Sequence, residues 1–470
     1  MAESELHWMT IAELSEQLRT RALSPVEVTQ AMLDRIAALD PDLRSYQTVM
    51  AKSALAEART AEAEIAAGNW RGPLHGVPYA AKDLCYTLDA PTGFGTAAYQ
   101  GWMAPYESTV TARLRAAGAV LLGKLHMTEG ATTLHDPELP GPVNPWGEKT
   151  WTGVSSSGSG VATAAGLCFG SLGSDTGGSI RFPSSACGVT GMKQTWGRVS
   201  LHGIVPLAFS FDHVGPMARS VEDTAIMLQA MAGYDRDDPT TSREPVPDYR
   251  AALEKGVPHL RIGIDEKMLK GVSAPVRAAL DHLVQILTKT TGARPRPVTI
   301  PEHGDIQDVA TALITAELAV AHESKDRADK YSDALKGMIA AGRKVTASQV
   351  VNAMHRRADF VGRFRAVFDQ VDILVMPVIP TPTPPTAEMT LQGMANKDWG
   401  ISRYTMMFDL TGSPSLTIPA GVDPDGMPIG IQLIGPDFAE ERLFAAGHAF
   451  QQATDWHTRR PTLRVARELA

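Results

Sequence analysis

The stretch "SLGSDTGGSIRFP", residues 171–183, sets Gly177 and Gly178 directly before Ser179, with Asp175 on one side and Arg181 on the other. A serine hydroxyl attacks a carbonyl carbon once a base takes its proton. The tetrahedral oxygen that results needs N–H donors aimed at one point, and consecutive glycine amides turn that way without side-chain hindrance. Asp175 and Arg181 are placed to pair and brace the turn. The same residues also suit a plain tight turn in which Ser179 caps the next element.

A second unusual run, "TGVSSSGSGVATAAGLCFG", covers residues 152–170. Ser/Gly runs commonly form flexible linkers, but here small apolar residues follow without a break, so the serines stand where a buried helix begins. A helix over about 158–166 advances about 13 Å, and a strand through "LCFGSLG" retraces roughly 17–20 Å. That path brings Ser155 and Ser179, twenty-four positions apart, into one neighbourhood. Ala162, Ala164, Ala165, Gly166 and Gly170 would let the helix sit close on its strands.

The nucleophile's base has several candidates. Thirteen histidines leave a Ser-His-Asp set open. No serine lies in a G-x-S-x-G elbow and no S-x-x-K is present, which disfavours two familiar hydrolase patterns. His322-Glu323 lacks the second histidine of a zinc helix, and a single "DTG" does not supply the paired aspartates of an acid protease. Lys82, at the end of "GVPYAAKDL", is a lysine in an apolar setting, where burial lowers the pKa and creates a general base. A Lys-Asp dipeptide alone is more often a solvated surface pair.

These residues need a frame. Thr10 with Glu13, and Ser24-Pro25-Val26-Glu27, read as capping boxes opening two helices, and Val28, Met32, Ile36 and Leu39 recur at helical spacing. A third helix ends at Gly68. Between 100 and 235, helical and strand-like segments alternate, including a helix to about Gly118 followed by "AVLLGK", which indicates an α/β layer structure. Residues 245–365 read as a helical, charged covering. "VDILVMPVIPTPTPP" reads as a buried strand entering a proline-rich loop, and "PSLTIPAG" with "PIGIQLIG" as a hairpin around "DPDG". With no repeat and no linker, the expectation is a single domain over 1–470: N-terminal helices to about 70, a catalytic region 71–235, the helical covering 245–365 and C-terminal strands 370–470.

The chain has 470 residues, 44% hydrophobic and 20% charged, with a net charge of −8. That balance supplies no electrostatic footprint for nucleic acid. An acidic start without a basic flank, and no apolar run near ~20 residues, give the expectation of a cytoplasmic protein with no membrane partner. Cys85, Cys168 and Cys187 are too dispersed for a disulfide framework or a metal site and read as buried thiols.

Taken together, "GVPYAAKDL", "GVSSSGSG" and "LGSDTGGSIRFPSSACGVTGMKQTWGRVS" resemble the amidase signature family, serine hydrolases with a Ser–cis-Ser–Lys triad. The resemblance extends through "NPWGEKTWTG", "FSFDHVGPMARSVEDTA", "DILVMPVIPTP" and "LTGSPSLTIPAGVDPDGMPIGIQLIG". It implies a large mixed central β-sheet covered by helices on both faces, with Ser179 as nucleophile, Ser155 as bridging serine on a cis peptide and Lys82 as terminal base. The backbone amides of Thr176, Gly177, Gly178 and Ser179 would line the oxyanion hole. No cofactor or metal is implied. Val154, Ser157 and Gln194 depart from the family's usual residues, and Val154 adds a branched side chain beside the cis bond.

The implied activity is hydrolysis of small amides, with aryl amides and carbamates as candidates, by a monomer or homodimer. Phe94, Met127, Trp151 and Phe209 lie close in sequence to the catalytic stretches and are candidates for an apolar pocket. Alternatives are the glutamine-dependent aminoacyl-tRNA amidotransferase A-type subunit, whose arginine stretch and tyrosine-rich segment have no counterpart here, and esterase or urethanase activity on the same site. A non-catalytic binder fits less well, because all three triad positions are occupied.

Overall fold

The computed structural model describes residues 6–301, 306–323, 326–391 and 401–463. Among them eleven strands form one sheet: β1 (Tyr46–Val49), β2 (Pro78–Lys82), β3 (Val120–Leu125), β4 (Gly170–Asp175), β5 (Thr190–Lys193), β6 (His213–Ala218), β7 (Arg261–Ile264), β8 (Arg294–Pro297), β9 (Ile373–Pro377), β10 (Ser415–Val422) and β11 (Pro428–Ile434). Their spatial order is β1-β3-β2-β4-β6-β5-β10-β11-β9-β7-β8. The sheet is mixed. β2 runs parallel to β3 and β4, whereas β4 meets β6, and β10 meets β5 and β11, antiparallel. Every residue of β2, β3, β4, β5 and β6 is buried, as expected of strands covered on both faces. This is the α/β architecture that the alternating segments implied.

The small residues of 152–170 explain how the central helix Ser157–Ala164 fits against the sheet. A Cβ on Gly158 would lie 2.5 Å from the Ser45 carbonyl oxygen and 2.6 Å from that of His126, and one on Gly160 would press on Pro183 at 2.9 Å. Only hydrogen fits there. The whole helix is consequently buried, including its serines.

Several local expectations change. Ser24 accepts hydrogen bonds from the amides of Val26 and Glu27 and donates its hydroxyl to Glu62, but the Glu27 carboxylate does not accept the Ser24 amide, so the reciprocal half of the box is missing. Thr10 and Glu13 do close theirs. The return strand spans 170–175 rather than beginning at Leu167, because Gly166 takes φ +67° and the Leu167 amide still bonds back to Ala162, completing the helix's exit turn. The described elements within 245–365 are helices except for β7 and β8. β8 is "RPRP" at the sheet's outer edge, the place where prolines are tolerated in a strand.

Gly215 of β6 has its Cα hydrogen against the Met192 carbonyl of β5, where a Cβ would approach to 2.1 Å. Gly215→Ala should therefore cost about 1–3 kcal/mol, read as a lower urea midpoint with unchanged slope. An unchanged midpoint would contradict this strand packing.

Candidate active site

Lys82 is the last residue of β2, and no part of it reaches solvent. Its ammonium nitrogen lies 2.7 Å from Ser155 Oγ, 2.9 Å from Ser156 Oγ and 2.8 Å from Ser174 Oγ. Ser174 comes from the neighbouring parallel strand β4, and Ser155 and Ser156 from the turn entering the buried helix. The lysine forms no ion pair with a described carboxylate. Burial pushes its pKa down to about 7, while the more distant charges of Asp175, Cys85 and Asp212 act the other way. It is therefore an amine that can be neutral near physiological pH.

The hydrogen-bond directions around it are constrained. Ser156 Oγ donates to the Ser174 carbonyl at 3.1 Å and accepts the Ser174 amide at 3.1 Å, so toward Lys82 it accepts. A neutral lysine has two N–H donors and one lone pair. With Ser156 taking one donor, the other donor and the lone pair fall to Ser174 and Ser155. The peptide Val154–Ser155 is cis, and the Ser155 carbonyl accepts the Thr128 amide.

The glycine turn lies beside this cluster, because the Ser156 amide donates to the Ser179 carbonyl at 3.3 Å. Asp175 organises the turn. Its Oδ1 accepts the Gly178 amide at 2.5 Å and its Oδ2 the amides of Ile180 and Arg181. Arg181 clamps both oxygens and continues to Asp409, Thr405 and Gln432 in the last third of the chain. Burial opposes ionisation of Asp175, but the Arg181 guanidinium beside it holds the carboxyl well below the usual range. The two glycines have steric reasons. A Cβ on Gly178, at φ +134°, would stand 2.4 Å from the Phe182 ring, and one on Gly177 2.8 Å from Met406 Cε.

The expected oxyanion donors need one revision. The Gly178 N–H belongs to Asp175 and is not free to meet a substrate oxygen. The amides of Thr176, Gly177 and Ser179 donate to no described residue. Gly177 and Ser179 are partly exposed, and the Ser179 hydroxyl forms no hydrogen bond with a described residue.

The apolar candidates divide. Trp151 joins Val154 and Phe182 in a small cluster that borders both the Ser155 turn and Gly178. Phe94 and Met127 are buried in the main core instead, Phe94 against Tyr99 and His322. Phe209 is 49% exposed. No described histidine bonds Ser155, Ser174 or Ser179. His213 is engaged at both nitrogens, with Nδ1 3.2 Å from the Asp175 carbonyl and Nε2 3.3 Å from Lys193 Nζ. His135 reaches only Ser157, at 3.4 Å. The three cysteines are free and buried.

Sequence reasoning misses Ser156, Ser174, Thr405, Asp409 and Gln432. Ser174 stands directly before Asp175 at the end of its strand, a position that could have singled it out. Asp409 and Gln432 lie 228 and 251 positions from Arg181 and carry no local signal.

A family model described as Amidase matches residues 27–444. The protein named "Putative amidase AmiD" of Mycobacterium tuberculosis is 47% identical over 465 residues, covering 98% of this chain and 97% of that one. The A-type subunit of the glutamyl-tRNA(Gln) amidotransferase of Methylococcus capsulatus is 40% identical over 484 residues, covering 97% and 99%. The native peptide amidase of Stenotrophomonas maltophilia superposes with a TM-score of 0.85 at 29% identity, covering 98% and 99%.

Arg181→Met would leave Asp175 and Asp409 buried without their cation. It should destabilise the protein by about 3–5 kcal/mol, measured by urea unfolding, and a loss below about 1 kcal/mol would contradict the bracing role.

Proposed function

The chain belongs to the amidase family, and from that premise we propose that it cleaves the C–N bond of small amides through an acyl-enzyme on Ser179, with Ser155 as relay and Lys82 as terminal base. The observation that carries this reading is a solvent-free lysine held by three serine hydroxyls, with no described carboxylate in contact to keep it charged.

In the neutral state Ser155 donates to the Lys82 lone pair, and its oxygen is then an acceptor for the Ser179 proton. Ser179 attacks the carbonyl carbon as its proton passes to Ser155 and that of Ser155 to Lys82. The amides of Thr176, Gly177 and Ser179 are the available donors for the oxyanion. Collapse of the tetrahedral intermediate returns a proton through the same hydroxyls to the departing amine. Water then enters in place of the amine and repeats the sequence, releasing the acid.

Trp151, Phe182, Val154 and Met406 make the surroundings of the turn apolar, which supports acyl groups of aryl or alkyl character in amides and carbamates. The Methylococcus relative favours a second reading, a glutamine-using subunit that works with partners. Turnover of simple anilides by the purified chain alone supports the first; glutamine hydrolysis with no anilide turnover supports the second.

A fluorophosphonate should label Ser179, and labelling that survives Ser179→Ala would overturn the nucleophile. Lys82→Ala should lower kcat about a thousandfold, and Lys82→Arg should not restore it, because guanidinium stays protonated. Since the base works neutral, protonation switches it off. Activity should fall as pH drops through about 7 and hold on the alkaline side. A Lys82→Ala enzyme of near-normal kcat would refute the relay.

A further inference from the structure

We infer that Asp212, which touches neither serine, is a positioning residue for this reaction: through Thr176 it anchors the start of the glycine turn and provides the countercharge for Lys82 while the lysine holds the transferred proton. The inference rests on the reading of Lys82 as base.

The placement follows from strand register. β4 and β6 pair antiparallel with Ser174 opposite Val214 and Asp175 opposite His213, so the next step sets Thr176 opposite Asp212. Thr176 Oγ1 indeed donates to Asp212 Oδ1 at 2.5 Å. Ser174 is the penultimate residue of β4 and Thr176 the first residue beyond it, and Ser174 Oγ is one of the three hydroxyls on Lys82. Lys82 and Asp212 thus hold the residues on either side of Asp175, immediately before the glycines.

Among the described residues Asp212 has no cation of its own. Its remaining bonds are neutral, from the amides of Leu207 at 2.9 Å and Ala208 at 3.1 Å. Burial pushes its carboxyl up to about 7, with the hydroxyl and amide donors opposing and Glu317 adding repulsion. The surrounding charges are committed elsewhere. Arg181 holds Asp175 and Asp409, and Lys193 faces His213 and the Ser413 carbonyl. Arg357 and Glu317 meet at Ser210. Lys82 in turn feels Asp212, after Asp175 and Cys85, as a charge that favours its ammonium form. As Ser155 hands its proton to the amine, a positive charge appears in a dry interior, where an unpaired ion is costly. An ionised Asp212 across β4 offsets it.

The test is the pH profile of anilide hydrolysis by Asp212→Asn beside the unmodified enzyme and Lys82→Ala. Loss of the anion makes the ammonium harder to form, so the acid limb of kcat/KM should move to lower pH by about half a unit or more, while kcat falls about tenfold or more and KM changes less than about threefold. A residue needed only for folding would lower activity without that displacement. An acid limb that stays in place or moves to higher pH overturns the inference. Should Asp212→Asn fail to fold, Thr176→Val removes the hydroxyl that stabilises the anion and should move the limb the same way by a smaller step; no movement overturns the inference as well. If Lys82→Ala keeps its activity, the reading of the base fails. If Lys82→Ala is inactive and the limb is unmoved, only the role of Asp212 fails.

Discussion

A lysine sealed from water cannot hold its charge cheaply unless something shares it, and around Lys82 the sharing falls to three hydroxyls. The adjacent strand shows the contrast. Lys124, one strand over on β3 and equally buried, lies 3.2 Å from the Asp83 carboxylate and also bonds Thr92. Lys82 has no such partner among the described residues. Two neighbouring strands thus carry buried lysines near their ends, one beside a carboxylate and one among hydroxyls.

That choice dictates much of what surrounds it. β2 must lie inside the sheet, flanked by β3 and β4, so that water is excluded. The helix that follows Ser155 and Ser156 has to pack closely enough for those two hydroxyls to reach a strand end, hence the glycines and alanines along it. Ser156 stands at that helix's N-cap, yet its side chain bonds Ser174 and Lys82 rather than capping the helix. The glycine turn then needs an organiser of its own. Asp175 supplies it by accepting three amides, which reserves Gly178 for structure and leaves Thr176, Gly177 and Ser179 as donors.

The parts legible in sequence are those in which residue type and local spacing coincide. Lys82 follows a short apolar run, Ser155 precedes a run of small residues, and Ser179 follows two glycines, and the structure gathers these three stretches at one place. The bracing of Arg181 by Asp409 and Gln432 depends on strands and a helix that meet only after the whole sheet is assembled, so no local pattern announces it. Phe94 and Met127 show the converse. Apolar residues beside the candidate site stretches in sequence belong to the core as readily as to a pocket, and the cluster each joins, not proximity along the chain, separates Trp151 from them. β8 escaped because two prolines mask a strand that survives only at an edge. The use of the Gly178 amide by Asp175 is likewise invisible without the turn's geometry.

The central claim is that Lys82 is an amine of depressed basicity. Its most direct measure is an NMR titration of protein carrying 13C at the lysine ε position, with the Lys82 signal identified by its loss in Lys82→Arg. A midpoint near pH 7 is the result expected from burial among hydroxyls. A Lys82 signal that titrates at the ordinary lysine value of about 10.4 would show a permanently charged side chain and contradict the account.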